Sequence, residues 1–256
     1  MTISERVLLA LSRSPKNDDY QMQDSAIDNA LNVLHRQYPN LSTLVSGKRI
    51  IDFGCGTGCQ SIALVKKFNC SVIGIDTNKK ILEKASINAK NHNISSQRLS
   101  FVRNISPDML NNFDIAISHN SFEHFEHPEQ ILNEINSLLN NSGLVLLTFG
   151  LPWFSPYGSH MHFFCKVPWV NILFSEKTVM KVRSNYRNDG ALRYEDVESG
   201  LNKMTVARFE NIVSSNNLKV KMKNYDCIKG MNWLSKLPLL RELFINRITV
   251  VLCKAT

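Results

Sequence analysis

Apolar and polar positions follow two rhythms along this chain. Short β-branched runs at 49–53, 71–75, 99–102, 113–118, 144–149, 218–225 and 247–253 read as strands. Between them, apolar residues recur every three or four positions. Ser61 to Phe68 is typical: Ile62, Leu64, Val65 and Phe68 are apolar, and Lys66 and Lys67 are polar. Such spacing predicts helices at 59–68, 78–91, 129–139 and 205–214. Pro128 suits the start of the third of these, and Asn140 to Gly143 reads as a turn into the fifth strand. Ahead of this region a weak helical pattern covers Ile3 to Leu11. A stronger one runs from Asp24 to Tyr38, with Asp24 or Ser25 as N-cap and Pro39 as its stop. Strands alternating with helices predict an α/β fold, a doubly wound and mostly parallel sheet of seven strands with helices on both faces. The pattern divides the chain into a helical cover (1–47), a strand–helix core (48–150), an insertion (151–202) and a final helix with two strands (203–256) that complete the same domain.

The first strand runs into the chain's most informative stretch, Arg49-Ile-Ile-Asp-Phe-Gly-Cys-Gly-Thr-Gly58. Glycines at every second position let the backbone turn sharply and approach a ligand that any Cβ would hold away. Strand, glycine loop and helix open a nucleotide-binding βαβ unit. A pyrophosphate-binding loop wants G-x-G-x-x-G, and here the third glycine arrives one residue early. Asp52 inside the motif would repel a phosphate and welcome an ammonium group. The second strand ends at Asp76, whose carboxylate can accept hydrogen bonds from both hydroxyls of a ribose.

With Asp52, the glycine triplet and Gly74-Ile75-Asp76 in place, the chain resembles class I S-adenosylmethionine-dependent methyltransferases. The likeness is close over 48–150 and looser over 203–254. The Glu123-His124 pair followed by Pro128, the Asn141-to-Leu147 turn and strand, and Met204-Thr205 with Phe209 add to it. The resemblance implies a Rossmann-like sheet and S-adenosyl-L-methionine as cofactor, with S-adenosyl-L-homocysteine as product. Asp52 would serve the ammonium group, Gly54, Cys55, Gly56 and Gly58 the methionine and ribose, and Asp76 with Thr77 the ribose hydroxyls. After the third strand the family's Gly-Asp-Ala is replaced by Arg103-Asn104-Ile105. Asn104 keeps an acceptor oxygen for the adenine amino group, with Ile105 beside it. His119, at the end of the fourth strand, is expected near the methionine portion.

Methyl transfer to an alcohol needs alignment with the sulfonium and a base for the hydroxyl proton. Five of seven histidines fall on the loops after strands four and five: His119, His124, His127, His160 and His162. His160 is the first candidate base and His162 the second. His124, which Glu123 could orient, is the rival. The stretch 152–174 is rich in aromatic residues and broken by proline and glycine, which suggests a lid over the acceptor with Trp153, Tyr157, Phe163 and Trp169 as contacts. Some ubiquinone-pathway O-methyltransferases hold a divalent metal through an acid three residues before the Glu-His pair. That position is Asn120 here, so no metal is expected. Residues 168–176 and 186–202 are similar to methyltransferases associated with surface-glycan gene sets, which implies polysaccharide biosynthesis and a sugar hydroxyl as acceptor.

Composition narrows the alternatives. No apolar run approaches the ~20 residues of a membrane span, no secretory signal core is present, and the cytoplasm is the expected compartment. The six cysteines show no paired framework and read as reduced, mostly buried thiols. Residues 1–150 carry 14 Lys plus Arg against 14 Asp plus Glu, whereas 151–256 carry 16 against 8, so the whole net charge of +8 lies in the later part. That excess is either a solvated face or a field for an anionic acceptor, glycan-linked or small. Nucleic-acid methylation is an alternative, but no separate nucleic-acid-binding module is visible and the fourth strand lacks an Asn/Asp-Pro-Pro-Tyr/Phe motif. A non-catalytic protein that binds the cofactor is the other. Oligomeric state is not legible.

Overall fold

The computed structural model describes residues 1–12, 24–238 and 240–254, with the side chains of Asp24 and Ser25 left aside. The N-cap expected at Asp24 or Ser25 therefore lies outside the described side chains. In chain order the elements are α1 (Ile3–Leu11), α2 (Asp24–Gln37), α3 (Leu41–Val45), β1 (Arg49–Phe53), α4 (Cys59–Lys67), β2 (Ser71–Ile75), α5 (Lys79–Asn91), β3 (Leu99–Val102), β4 (Phe113–His119), α6 (Pro128–Leu138) and β5 (Leu139–Gly150). Then come α7 (Val170–Leu173), α8 (Glu176–Arg183), α9 (Val206–Ser214), β6 (Leu218–Cys227), α10 (Arg241–Phe244) and β7 (Ile245–Lys254).

The seven strands form one sheet in the order β3-β2-β1-β4-β5-β7-β6. The first five are parallel, and β7 runs antiparallel to both β5 and β6. This is the Rossmann-like, mostly parallel architecture that the periodicity predicts. The Asn140–Gly143 turn survives as an irregularity inside β5: Phe113 pairs with Leu139, and the next pair is Ile115 with Leu144.

Both faces are covered because the central strands are apolar on both sides. On one face, α6 and α9 bury Leu132, Ile135, Phe209 and Ile212 against Ile51, Ala116, Val145 and Leu147. On the other, α2, α3 and α4 bury Leu34, Leu41, Ile62 and Val65 against Ile50, Ile115 and Leu146. Across this second face Tyr38 hydrogen-bonds Thr148 at 2.8 Å, and burial holds its phenol well above the usual range.

A third core departs from the expected division of the chain. Met161, Phe164, Cys165, Val170, Val179, Met180, Ala191, Tyr194 and Leu201 bury one another, and Leu8 of α1 joins them. A bridge between Ser12 and Cys165 ties α1 to this group. Leu8 of α1 thus packs with residues 161–201, whereas α2 and α3 pack on the sheet. Among the described residues no helix is long and apolar enough to cross a membrane.

Candidate functional site

Strands β1, β2, β3 and β4 end on one edge of the sheet, where open parallel sheets take their ligands. The glycine loop after β1 has Gly54 at φ +80° and Gly56 at φ +52°. A Cβ on Gly54 would stand 2.6 Å from both Cβ and Oγ of Ser121, so only glycine fits there. A Cβ on Gly56 would meet nothing within 4 Å, so that turn of the loop faces open space. Gly58, at φ +81°, begins α4.

Asp76 sits where β2 ends. Its Oδ2 accepts the Gly56 N–H at 3.1 Å and its Oδ1 accepts the Asn78 N–H at 2.9 Å. The carboxylate is therefore held by two backbone donors with lone pairs to spare. Asn78, not Asp76, caps α5, accepting from Lys80 and Ile81. Asp76 opens onto a cavity of about 440 Å³ that Gly54, Thr77, Asn104 and Ile105 also line. Arg103 reaches from β3 to donate to the Thr77 carbonyl at 3.2 Å. Phe53, Ile75, Phe125 and Ile131 supply its apolar walls. The motif reading did not name Phe125 and Ile131; their spacing around the Glu-His pair offers no signal that sets them apart from core residues.

Asp52, Cys55, Gly56, Gly58 and His119 do not line that cavity. Asp52 lies beneath the loop, 2% exposed, and accepts the Ser61 hydroxyl at 2.6 Å. Burial pushes its carboxyl up to about 6; Ser61 opposes the rise and the Asp76 charge adds to it. Cys55 packs below the turn, and burial pushes its thiol far up. His119 is mostly buried, its Nδ1 has no partner among the described residues, and loss of hydration brings its imidazole down to about 4.

A second cavity, also about 440 Å³, abuts the start of α5 at Asn78 and Ile81. His124, His160, Phe163, Arg183, Arg187 and Asp189 line it. The structure brings two of the three candidate bases together: the rings of His124 and His160 meet edge to face at 5.3 Å. His124 Nδ1 lies 2.7 Å from the Gly200 carbonyl. A carbonyl only accepts, so Nδ1 carries the proton and Nε2 is left with its lone pair. The expected orienting role of Glu123 does not hold. Glu123 is buried, its Oε2 has no partner among the described residues, and desolvation raises its carboxyl to about 8. Desolvation lowers His124 from its ordinary value, partly offset by Gly200. It brings His160 down to about 4, with the nearby His124 and His162 adding to the fall. His162 is exposed and lines neither cavity.

Of the four aromatic residues expected to touch the acceptor, only Phe163 lines this cavity. Trp153 packs its ring 4.8 Å from Tyr194 in the insertion's own core. Tyr157 is exposed beside His162, and Trp169 holds a positive φ of 57° at the start of α7. The aromatic stretch mostly builds the insertion, and the mouth is walled by arginines and carboxylates instead. A third, larger space of about 830 Å³ borders on residues of both, sharing Thr77 and Phe125 with the first and His124 and Gly200 with the second. Among the described residues no group of three or more His, Cys, Asp or Glu could hold a metal ion.

Residues 44–155 match a family profile described as a methyltransferase domain. Over 66 residues the chain is 38% identical to a ribosomal protein L11 methyltransferase of Vibrio campbellii, covering 26% of this chain and 22% of that protein. Over 120 residues it is 25% identical to a ubiquinone biosynthesis O-methyltransferase of Neisseria meningitidis, covering 46% of this chain and 50% of that protein. The match thus spans half or less of these curated relatives. Among solved structures, the [4+2]-cyclase SpnF superposes with a TM-score of 0.59 at 14% identity, covering 99% of this chain and 94% of that one. A geranyl diphosphate methyltransferase in complex with SAM gives 0.56 at 12% identity, covering 97% and 94%. At such identities these two show the fold. Residues 44–155 of this chain thus resemble a methyltransferase domain, and the chain shares the fold of these two structures.

Proposed function

We propose that the chain is an S-adenosylmethionine-dependent methyltransferase that methylates a hydroxyl of a saccharide or similar small metabolite. The observation that carries the reading is the placement of two unlike cavities at the head of α5, one lined by Thr77 and the other by Asn78. One opens on Asp76, the other on the unprotonated Nε2 of His124. The donor set of the first fits the cofactor: a carboxylate with spare lone pairs for ribose hydroxyls, Asn104 for the adenine amino group, apolar walls for the ring, and the backbone of Gly54, where no side chain fits. Asp52 serves the ammonium group from below the loop, by charge or through water. When bound, S-adenosylmethionine supplies a methyl group on sulfonium sulfur that an acceptor oxygen can take.

The protein's part in the chemistry is positioning and proton removal. His124 is the better base of the pair, because Gly200 fixes its tautomer and supports its charged form. His160, lowered further, is a poor proton acceptor at neutral pH and shapes the cavity beside it. His162 is set aside by its exposure. The superposition on a [4+2]-cyclase is a reminder that this fold hosts more than one reaction. The decisive experiment therefore measures transfer of labelled methyl from S-adenosylmethionine to hydroxylated saccharides and metabolites. His124→Gln is expected to lower that transfer by about 10²-fold or more, the usual contribution of a general base, and to leave cofactor affinity unchanged. The residual rate should lose its dependence on pH below 7. Full activity in His124→Gln, or no transfer to any hydroxyl acceptor, would refute the proposal.

A further inference from the structure

Four charged residues line the cavity that holds His124 and His160: Arg183, Arg187, Asp189 and Glu198. They are not equivalent. Arg183 is buried and bound through both terminal nitrogens to Asp189, at 2.7 and 2.6 Å. That bidentate pair holds the Asp189 carboxyl down at about 2 and cancels itself as a source of attraction. Glu198 lines both this cavity and the larger space beside it, so it stands at their boundary with His124 and Gly200. Arg187 belongs to the inner cavity alone.

The Arg187 guanidinium lies over the face of Phe163, 4.8 Å from the ring centroid. Among the described residues it has no hydrogen-bond or ion-pair partner. The arginines of the larger space differ in this respect. Arg193 is paired with Glu195 and Asp196, and Arg208 with Glu129 and the Asn202 carbonyl. A planar fork steadied on an aromatic face, with its donors unspent, is suited to an oxyanion.

From this juxtaposition we infer that the acceptor carries an anionic group, a carboxylate or a phosphate, and that Arg187 binds it while its hydroxyl faces His124. The inference rests on the methyltransferase reading for the identity of the acceptor, but the anion site itself does not depend on it. Arg187 is a specificity-determining residue in this scheme, because a neutral acceptor would leave its fork unmatched. It also gives part of the positive charge of residues 151–256 a task. The other charges of the same wall are either self-paired or, as with Glu198, placed at the far boundary.

The test needs no acceptor and no cofactor. Inorganic phosphate is titrated into the protein at constant ionic strength while the histidine ring resonances are followed by NMR. Saturable shifts of the His124 and His160 rings are expected, with both imidazoles titrating at higher pH once phosphate is bound. Arg187→Met should weaken phosphate binding by about tenfold or more, as for loss of a charge-assisted pair, and Arg193→Met should leave it unchanged. Arg187→Lys, which keeps the charge and loses the fork, should fall between wild type and Arg187→Met; it also serves if the methionine variant does not fold. A parallel titration with acetate tells a carboxylated acceptor from a phosphorylated one by which anion binds more tightly. No saturable shift in the wild type, or equal midpoints for wild type and Arg187→Met, would overturn the inference. Because cofactor is absent, that failure is distinct from a failure of methyl transfer.

Discussion

The glycine-loop half and the insertion solve opposite problems. Around Asp52 and Asp76 the backbone itself builds the site: turns at positive φ, amide donors on a carboxylate, and walls contributed by strand ends. Within 151–202 the aromatic residues turn inward to make a private core, and long charged side chains form the surface that meets solvent. Rigid backbone recognition suits a ligand that never changes. Side chains on an appended, separately packed unit can be exchanged without disturbing the sheet. The methyltransferase-domain profile match ends accordingly, near residue 155.

The largest expected contrast comes from Asp76. Asp76→Ala should weaken cofactor binding by about 100-fold, since two charge-assisted hydrogen bonds are lost. Calorimetry with S-adenosylhomocysteine reads it, and unchanged affinity would place the ribose elsewhere. Next is the pH dependence of the same binding. Asp52 is ionised above about 6, so its attraction for an ammonium group is present above that pH and fades as pH falls through it. Affinity for S-adenosylmethionine should drop by about tenfold between pH 7 and 5, on the order of one unit of linked protonation. The homologue of Asp52 without the charge, Asp52→Asn, should show a flat profile.

Glu123 gives a smaller effect, on stability. Its folded value of about 8 exceeds the ordinary carboxylate range, so it is the protonated form that the fold prefers. The contribution is complete at acid pH, below the unfolded value, and is lost as pH rises through about 8. Glu123→Gln, which cannot ionise, should therefore raise the melting temperature at pH 9 by several degrees, roughly 2 kcal/mol, and by little at pH 5. A uniform shift at both pH values would mean that the carboxyl is not buried in its neutral form. The smallest effect is predicted for His162→Gln, which should change turnover by less than about twofold, as for an exposed surface substitution. A larger loss would return His162 to the acceptor cavity.

The sheet was legible in the sequence because strand and helix periods differ and each βα unit is local. Every strand lies within a few residues of the predicted span, and Asp76 could be found because it follows a strand end at a fixed interval. What escaped reading depends on contacts between distant segments. Nothing in the spacing of Glu123 and His124 reveals that Gly200, far along the chain, holds the imidazole. Aromatic richness at 152–174 signals burial as well as it signals a lid, and only packing tells Phe163 from Trp153. Arg187 looks like any other basic residue until its neighbours are seen to be paired and it, among the described residues, is not.

The attachment of α1 to α8 has a consequence for how the molecule is made. Emerging from the ribosome, Ile3–Leu11 finds no companion until Glu176–Arg183 has followed it. The sheet's first five strands can pair in the meantime, so the glycine-loop half can settle while the side that holds the second cavity stays open. Closure of that side is then a long-range event, as is the later pairing of β7 with β5, and a slow step there would delay completion of the second cavity without delaying that of the first.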